Sequence, residues 1–328
     1  MDFLVIGCGS IGERHIRNLR TISKRNKIIA FDINIKRLKL MEEKYQVEPV
    51  SDLTEVRRYK IDGTLICTPP SSHVEFANQV IKYNIPLFIE KPISHNLEGV
   101  DNFIKKAKRE KIPILVGYNL RFHPGLNLVK KFLDEKKIGK ILSVRAEFGQ
   151  YLPDWRPWQN YQQSYTAKKR LGGGIILDDS HEIDYTCWLF GEVKEVFCFA
   201  DKVSRLKVET EDTAEILLKF ETGIIANIHL DFLQRVYSRW CKIIGEKGTI
   251  IWNYAENSVR LYLAKTKKWQ SFSVKFDPND MYVEEMKHFI KCISGKEKPK
   301  VNTEEAREVL RVALASKESA KKKRLIKI

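Results

Sequence analysis

The chain has 328 residues, 43% of them hydrophobic and 30% charged, so it is long enough for two globular domains and is not a disordered polypeptide. Its 58 Lys and Arg against 42 Asp and Glu give a net charge of +16, a balance that would suit nucleic acid, an anionic membrane surface or an acidic small molecule. The basic residues are spread along the whole chain, which favours a solvated lysine-rich surface.

The remaining composition indicates a cytoplasmic protein. No apolar stretch approaches the ~18 residues of a membrane span, and the first residues do not resemble a signal peptide. The six cysteines include no C-x-x-C pair, which excludes a zinc ribbon or a disulfide framework and fits reduced thiols. The histidines do not cluster with cysteines, so we predict no metal site.

Short apolar runs alternate with amphipathic segments before residue 120. The predicted strands are Phe3–Ile6, Ile28–Phe31, Thr64–Cys67, Leu87–Ile89 and Ile114–Val116. The predicted helices are 12–22, 35–45, 72–83 and 97–110. Blunt apolar strands that alternate with helices are typical of a doubly wound parallel sheet. Residues 1–120 are therefore predicted to form an α/β Rossmann domain.

The hydrophobic period changes to two after residue 140. Ala214 to Phe220 and Ala226 to Phe232 alternate with polar residues around Gly223, as in an antiparallel hairpin. Further strands are predicted near 141–149, 193–200, 241–245, 249–253, 259–263 and 270–275. Helices are predicted after Pro124, at 179–190 with Asp179 or Ser180 as cap, at 280–294, and at 303–320 after Asn302 or Thr303. Residues 121–328 are therefore predicted to form an α+β domain with a large open, mainly antiparallel sheet.

A glycine-rich turn follows the first predicted strand. Its sequence, Gly7-Cys8-Gly9-Ser10-Ile11-Gly12, ends a strand and opens a helix, the context in which this pattern binds a dinucleotide. Gly7 allows the tight turn, Gly9 lets the backbone approach a pyrophosphate, and Gly12 allows close packing of helix on strand. Asp32 ends the second strand, where a carboxylate can accept hydrogen bonds from the adenosine ribose and repel a 2′-phosphate. We therefore predict NAD(H) as the favoured cofactor.

Two further turns lie at the carboxyl ends of predicted strands, where open α/β sheets bind ligands. The stretch from Thr68 through two prolines to His73 is at least a strand-to-helix turn, in which serines are expected to cap the next helix. Glu90-Lys91-Pro92 is the second turn. A lysine on a turn is commonly solvated, but beside a nicotinamide Lys91 would hydrogen-bond the substrate's oxygen and stabilise developing alkoxide charge.

A third motif runs from Gly172 to Asp184, with the sequence GGGIILDDSHEID. Asp178, His181 and Asp184 are three residues apart, so on a helical path they would lie along one side. A neutral imidazole with a nearby carboxylate can act as a general base near pH 7, although a lone histidine is more often structural. The catalytic interpretation requires that Lys91 face this motif.

Aromatic and basic side chains precede these glycines: Trp155, Arg156, Trp158, Tyr161, Tyr165, Lys168 and Lys169. Aromatic faces can stack on nucleic-acid bases or form the wall of a sugar pocket. Arginine and lysine suit a carboxylate or a phosphate. The position just before the glycines favours a sugar pocket.

The motifs occur in the order of a known family: Gly7–Gly12 followed by His15, Thr68–His73, Glu90–Pro92, and Gly172–Asp184. In this order they resemble the glucose–fructose oxidoreductase, inositol dehydrogenase and rhizopine catabolism (Gfo/Idh/MocA) group of NAD(P)-dependent oxidoreductases, over essentially the whole chain. The segment 117–124 is similar to the one that joins the two domains in that family.

The resemblance implies that Lys91 and His181 carry the hydride and proton chemistry, and that Asp178 orients the substrate or the nicotinamide ribose. The predicted cofactor contacts are Gly7, Gly9, Ser10, Ile11, Gly12, Asp32, Thr68, Pro69, Pro70, His73, Glu90, Lys91 and Asn119. Most members of the family have four residues' separation between the aspartate and the histidine, whereas here it is three. A subset with the shorter form resembles oxidoreductases of sugar and nucleotide-sugar metabolism. Asp179 therefore stays an alternative to Asp178.

The residues predicted to bind substrate are Arg121, Arg156, Tyr161, Lys168, Asp178 and His181. With the net charge of +16 they favour an anionic sugar, either a nucleotide sugar or a sugar acid. A neutral sugar or a cyclitol is the alternative, because the same cations can serve the pyrophosphate of NAD. Lys36 and Arg37, close to Asp32, leave NADP(H) open.

Two predictions concern partners. A nucleic-acid-binding or NAD-sensing regulatory protein is a remote hypothesis, since only the charge and the run from Lys321 to Arg324 support it and no helix-turn-helix or RNA-binding signature accompanies them. Ile225, Asn227, His229 and Asp231 give the second face of the predicted sheet a mixed character. A two-fold pairing of such sheets predicts a homodimer or homotetramer.

Overall fold

The structure is a computed structural model that describes every residue from Met1 to Ile328. Contacts divide the chain into two compact units. The first comprises Met1–Asn119 and Pro278–Arg307, and the second comprises Leu120–Asp277 and Glu308–Ile328. No helix is both long enough and apolar enough to cross a membrane.

The first unit contains a sheet of six parallel strands: β1 (Asp2–Ile6), β2 (Lys27–Phe31), β3 (Glu48–Pro49), β4 (Gly63–Ile66), β5 (Leu87–Glu90) and β6 (Ile114–Gly117). The strand order is β3-β2-β1-β4-β5-β6, the arrangement of a Rossmann fold. The residues of β4, β5 and β6 are buried on both faces, which explains why their sequences are continuous apolar runs. The predicted doubly wound fold is confirmed, and β3 is an addition to it.

Four helices connect these strands: α1 (Ser10–Ile22), α2 (Ile35–Tyr45), α3 (His73–Ile81) and α4 (Val100–Arg109). Asn34 caps α2, because its side chain accepts the backbone N–H groups of Lys36 and Arg37. Every connection that leaves β1, β2, β4, β5 or β6 starts at the same edge of the sheet, since parallel strands share one direction. The predicted cofactor contacts all follow these strand ends.

The second unit contains nine strands: β7 (Ile141–Gly149), β8 (Val193–Asp201), β9 (Thr213–Phe220), β10 (Ile225–Asp231), β11 (Ser238–Gly245), β12 (Gly248–Asn253), β13 (Ser258–Leu263), β14 (Lys268–Ser273) and β15 (Ile326–Lys327). They are ordered β14-β13-β12-β11-β7-β10-β9-β8-β15. The prediction of a mainly antiparallel sheet is confirmed, including the β9–β10 hairpin at Gly223. The β7–β10 pair is parallel, so the sheet is mixed.

One face of this sheet is buried and the other is exposed. Ala214, Ile216, Leu218 and Phe220 on β9 are buried, while Leu217 between them is 45% exposed. The helices of this unit before β8 are α5 (Pro124–Asp134), α6 (Leu152–Trp155), α7 (Ile175–Asp178) and α8 (His181–Phe190). The exposed face carries apolar side chains as well as charged ones, which is the feature on which the oligomer prediction depends.

Two helices close the chain, α9 (Asp280–Ile293) and α10 (Thr303–Lys322). Residues 278–307 group with the first unit, whereas the sequence analysis assigned them to the second domain. The side chains of Asn279 and Asn18 are hydrogen-bonded at 2.9 Å, and Ile293 packs against Gly63 of β4. An amphipathic pattern predicts a helix but not the sheet that the helix covers. Asn302 caps α10 as predicted, since its side chain accepts the Glu305 N–H at 2.9 Å.

Candidate active site

The glycine turn joins β1 to α1 in a conformation that excludes side chains at two positions. Gly7 has a φ of +94°, and a Cβ on Gly12 would lie 1.9 Å from the Gly7 carbonyl oxygen. A Cβ on Gly9 would meet no atom within 4 Å, so the backbone there faces open space. No side chain caps the N-terminus of α1. A 13-residue helix with this open approach can receive a pyrophosphate at its positive end.

The carboxylate of Asp32 is fixed beside this turn. One of its oxygens accepts the Cys8 N–H at 2.7 Å, and the other accepts the Asn34 N–H at 2.7 Å. Two exposed apolar residues follow on the same connection, Ile33 at 88% and Ile35 at 68% exposure. Neither was identified from the sequence, although two exposed isoleucines beside Asp32 offer apolar surface to a ligand. The geometry suits an adenosine whose ribose lies on Asp32.

His73 links the turns that follow β4 and β5. Its Nδ1 lies 2.8 Å from the Pro92 carbonyl oxygen and its Nε2 lies 2.8 Å from that of Thr68. Burial lowers the pKa of His73, and the two carbonyl contacts oppose this effect. His73 was predicted as a cofactor contact, and these two contacts show that it holds the turn containing Lys91 against the turn containing Thr68.

Glu90 connects the glycine-turn helix to the Lys91 turn. Its Oε1 lies 2.6 Å from Nε2 of His15 on α1, and its Oε2 accepts the Lys91 N–H at 3.2 Å. His15 is fully buried and packs edge-on against Phe88 of β5, with ring centroids 5.0 Å apart. The Lys91–Pro92 peptide bond is cis. His15 of α1 thus supports the backbone of the Lys91 turn through the side chain of Glu90.

The remaining predicted cofactor contacts surround the same edge of the sheet. Thr68, Pro69 and Pro70 follow β4, and Asn119 follows β6 and is buried. Ser10 and Ile11 form the first turn of α1. The first unit therefore brings its predicted cofactor contacts together at one edge of the sheet, as an extended dinucleotide requires.

In the second unit, the motif from Gly172 to Asp184 is not one continuous helix. α7 ends at Asp178, and Asp179 and Ser180 separate it from α8, which begins at His181. The expectation of one helical side therefore holds for His181 and Asp184, which are three residues apart in α8, but not for Asp178, which lies in α7. Two of the three glycines, Gly172 and Gly174, have positive φ values of +86° and +108°. Their positive φ breaks the helical path before α7.

Two predicted helix caps are absent. Ser180 precedes α8, but its side chain makes no capping hydrogen bond there. Ser72 precedes α3, and its hydroxyl lies 2.9 Å from the Thr68 Oγ1 and 3.0 Å from the Pro69 carbonyl oxygen instead of reaching a helix N–H. Local sequence allows these caps, and tertiary packing decided against them.

Asp178 is held by two hydroxyl groups from the preceding loop. Tyr165 donates to its Oδ1 at 2.5 Å, and Thr166 donates to its Oδ2 at 2.6 Å. Asp178 is only 4% exposed, so these charge-assisted hydrogen bonds compensate for its burial. The sequence analysis placed Tyr165 among the aromatic residues and did not identify Thr166. Hydroxyl residues shortly before the glycines were the signal available for this contact.

Asp179 takes part in a different cluster. Arg239 of β11 donates to the Asp179 carboxylate, and its Nε lies 2.9 Å from Oε1 of Glu182. Burial raises the pKa of Glu182 well above its usual range, an effect that Arg239 opposes and Asp179 reinforces. Neither Arg239 nor Glu182 was identified from the sequence, because the arginine lies 60 residues from Asp179 in the chain.

Asp184 forms a buried ion pair with Arg121. The arginine donates from Nη2 to Oδ1 at 2.8 Å and from Nε to Oδ2 at 3.0 Å, and both side chains are 2% exposed or less. Bidentate pairing of this kind balances a charge that would otherwise be buried alone. Arg121, which was predicted to contact substrate, is thus paired with Asp184 in the second unit.

A shallow, open surface pocket lies beside Thr166, the hydroxyl partner of Asp178. Its lining residues are Leu152, Trp155, Arg156, Gln159, Tyr161, Ser164 and Thr166. The structure thus brings together Arg156 and Tyr161, both predicted to bind substrate, with an aromatic neighbour. Lys168 is not part of the lining, and its ammonium group lies 2.9 Å from the Glu209 carboxylate.

Two comparisons with families of known proteins identify the class of protein. Residues 1–118 match the family model described as an oxidoreductase family with an NAD-binding Rossmann fold, and residues 126–251 match the GFO/IDH/MocA C-terminal domain. The chain is 30% identical to a myo-inositol 2-dehydrogenase of Thermotoga maritima, over 99% of this chain and 97% of that protein. It is 26% identical to the uncharacterized oxidoreductase YrbE of Bacillus subtilis, over 96% of this chain and 93% of that protein.

Solved structures share the fold over the whole chain. The WlbA dehydrogenase from Bordetella pertussis, in complex with NADH and UDP-GlcNAcA, has a TM-score of 0.87 at 22% identity, covering 100% of this chain and 97% of that one. A levoglucosan dehydrogenase, in complex with NADH and levoglucosan, has a TM-score of 0.89 at 20% identity, covering 100% and 99%. The chain belongs to the Gfo/Idh/MocA family and is an NAD(P)-dependent dehydrogenase.

Proposed function

We propose that this dehydrogenase uses NAD(H) and acts on a secondary alcohol of an anionic sugar, either a nucleotide sugar or a sugar acid, or reduces the corresponding ketone. The observation that carries the substrate proposal is the pocket beside Thr166. Trp155 and Tyr161 offer aromatic surface to the apolar face of a pyranose, and Arg156 offers a cation to a carboxylate or phosphate. The WlbA structure contains a nucleotide sugar that bears a carboxylate, which agrees with this class.

NAD supplies, when bound, a nicotinamide that exchanges hydride at C4. The residues fit such a cofactor, because the Gly9 backbone faces open space and Asp32 is fixed beside it. The Asp32 carboxylate would accept hydrogen bonds from the ribose hydroxyls and would repel the 2′-phosphate of NADP. Asp32→Ser is expected to relax this preference. Tighter binding of NADPH than NADH to the unmodified protein, measured by calorimetry, would show that Lys36 and Arg37 outweigh Asp32.

The protein's own groups have three proposed roles in the reaction. His181 takes the proton from the substrate hydroxyl and returns it in the reverse direction. The ammonium of Lys91 donates a hydrogen bond to the same oxygen and stabilises its negative charge as that charge develops. Asp178, oriented by Tyr165 and Thr166, aligns the substrate or the ribose. Asp179 is less suited to that role, because Arg239 already binds its carboxylate.

A neutral sugar or a cyclitol is the second candidate. A specific observation favours it: two of the three cations predicted to bind substrate are engaged elsewhere, Arg121 with Asp184 and Lys168 with Glu209. The myo-inositol 2-dehydrogenase of Thermotoga maritima points to the same class by its name. Arg156 is therefore the residue that separates the two proposals.

A thermal-shift panel in the presence of NADH tests the substrate class. UDP-GlcNAcA, glucuronate, glucose and myo-inositol are compared on the wild-type protein and on Arg156→Gln. A ligand present at ~100 times its Kd is expected to stabilise the protein by about 2.7 kcal/mol. We expect the shift with UDP-GlcNAcA or glucuronate, and its loss in Arg156→Gln. A shift with glucose or myo-inositol alone, unchanged in Arg156→Gln, would establish the neutral substrate.

We also propose that the exposed face of the nine-stranded sheet pairs with a second copy. This face exposes a large apolar side chain on each of three neighbouring strands: Phe199 on β8 (66% exposed), Leu217 on β9 (45%) and Ile225 on β10 (53%). A contiguous exposed apolar surface is typical of a protein–protein interface. Light scattering is expected to report a dimer or tetramer at micromolar concentration, and Leu217→Lys with Ile225→Lys is expected to lower the mass. A wild-type monomer would reject the pairing.

A further inference from the structure

The segment that carries His181 lies at the junction of two helices and is not part of one continuous helix. α7 ends at Asp178, the backbone of Asp179 is non-helical with φ −109° and ψ 43°, and the Ser180 side chain does not cap α8. Upstream, Gly172 and Gly174 have positive φ values and add freedom to the chain. The direction in which His181 leaves the start of α8 must therefore be determined by contacts from elsewhere in the unit.

Arg239 supplies contacts on both sides of this histidine. It donates to the carboxylate of Asp179, two residues before His181, and its Nε lies 2.9 Å from Oε1 of Glu182, the residue after it, without hydrogen-bond geometry. The second Glu182 oxygen lies 3.4 Å from the Arg239 Nη2, so the guanidinium spans the two carboxyl groups. A planar guanidinium holds two such groups in a fixed geometry, which a lysine ammonium does not.

Arg239 is itself held rigidly. It lies on β11 opposite Phe148 of β7, and its guanidinium carbon is 4.2 Å from the centre of the Phe148 ring. The residue is only 8% exposed. A strand inside a nine-stranded sheet is a rigid element, so Arg239 restrains the start of α8 relative to the sheet.

The cluster is balanced in charge. Burial raises the pKa of Glu182 well above its usual range, an effect that the charge of Arg239 opposes and Asp179 reinforces. Burial also raises the pKa values of Tyr185, Tyr237 and Cys241, and burial together with the charge of Arg239 lowers that of His123 to about 3. These four neighbours are neutral, and the charge of Arg239 is balanced by Asp179.

We propose that Arg239 is a positioning residue, which clamps Asp179 and Glu182 and thereby fixes the orientation of the His181 imidazole. The inference rests on the proposed role of His181 for its catalytic consequence, but the orientation itself is measurable without a substrate. Arg239, which lies on β11 and far along the chain from the sequence motifs, would thus act on the reaction through His181.

The experiment uses the full chain labelled with ¹³C at Cε1 of its seven histidines. The His181 and His123 resonances are assigned with His181→Gln and His123→Gln. In Arg239→Lys, which keeps the charge and loses the planar fork, we expect the His181 resonance to move. The resonances of His15, His73, His95, His229 and His288 are expected to stay, and His123, whose pKa is affected by the charge of Arg239, reports whether that charge is kept.

Two variants provide the matched controls. Arg260→Lys makes the same substitution at an arginine that stacks on Trp269 of β14, and is expected to leave the His181 resonance unchanged. Glu182→Gln keeps the length of the side chain and an oxygen that can accept from Arg239, and is expected to leave the His181 resonance close to the wild-type position. If Arg239→Lys does not fold, Arg239→Met with Asp179→Asn removes both charges together and is read in the same way.

A His181 resonance that stays in place in folded Arg239→Lys, or in the folded double variant, overturns the proposal. On a substrate found in the ligand panel, Arg239→Lys is expected to lower kcat on the order of 10-fold to 10²-fold with little change in KM or NADH affinity. If the His181 resonance moves in Arg239→Lys but kcat is unchanged in both Arg239→Lys and His181→Gln, the positioning role of Arg239 stands. The proposed catalytic role of His181 would then be contradicted.

Discussion

The two units hold their candidate residues by different means. In the first unit the partners are mostly backbone groups: Asp32 accepts the Cys8 N–H, and His73 contacts the carbonyls of Thr68 and Pro92. In the second unit the partners are other side chains, as for Asp178 with Tyr165, Asp179 with Arg239 and Asp184 with Arg121. Backbone groups are present whatever the sequence, so a short motif is enough to specify the first kind of site. The second kind requires a particular residue far away in the chain.

The largest expected effect tests the side-chain contacts of the second unit. Arg121→Met leaves the Asp184 carboxylate buried without its cation and should lower the free energy of unfolding by about 3–5 kcal/mol. Urea unfolding followed by tryptophan fluorescence measures it, because all six tryptophans lie between residues 155 and 269 and report on this unit. Arg121→Met with Asp184→Asn is the control and should recover most of the loss. A single variant as stable as the wild type would contradict the buried pair.

The next effect compares the two units in catalysis. Lys91→Ala and His181→Ala should each lower turnover by about 10²-fold or more while NADH binding is retained, the scale of a positioned acid–base group. Stopped assays of NADH formation, with NADH titration by fluorescence, measure the two quantities separately. Lys105→Ala, at an exposed lysine of α4, is the control and should behave as the wild type. Normal turnover in both variants would remove the proposed roles.

A smaller effect separates structure from ligand binding in the glycine turn. Gly12→Ala places a Cβ 1.9 Å from the Gly7 carbonyl oxygen and should destabilise the protein by typically ~1–3 kcal/mol. Gly9→Ala has room for its methyl group, so it should keep the melting temperature and weaken NADH binding, where the backbone approaches the pyrophosphate. Circular dichroism and calorimetry distinguish the two outcomes. Equal melting temperatures for both variants would argue against the close packing at Gly12.

The smallest effect concerns pH and the exposed face of the second sheet. Hydrogen bonds to Asp231 and Glu215 raise the pKa of His229 to about 9, from an ordinary value of 6.5. A raised pKa contributes stability that is fully present below pH 6.5 and is lost as the pH rises through 9. Between pH 7 and 10 the wild type should lose roughly 1–2 kcal/mol more than His229→Gln, a value reduced for the partial exposure of the ring. Urea unfolding at several pH values checks this, and parallel curves for the two proteins would contradict it.

The elements that the sequence predicted well are those with a strong local period. The blunt runs at β1, β4, β5 and β6 and the alternation in β9 and β10 follow directly from how their faces are buried. β3 and β15 were missed because a two-residue strand has no period to detect. The parallel β7–β10 pair was missed because pairing direction depends on how distant strands meet. The sequence assigned α9 to the second domain, whereas the helix groups with the first unit, because an amphipathic pattern does not show which sheet a helix covers.

The sequence by itself determined the positions of Gly7, Asp32 and Lys91, because a parallel strand that ends at a turn places the next residue at the ligand edge of the sheet. It also predicted Asp178 and His181 as the residues of the second half that carry chemistry. Only the tertiary structure decided how those two are held: Asp178 by hydroxyls of the preceding loop, and the flanks of His181 by Arg239 from another strand. Such partners are selected by packing in three dimensions, where the burial of a charge demands a counter-charge whatever its distance along the chain.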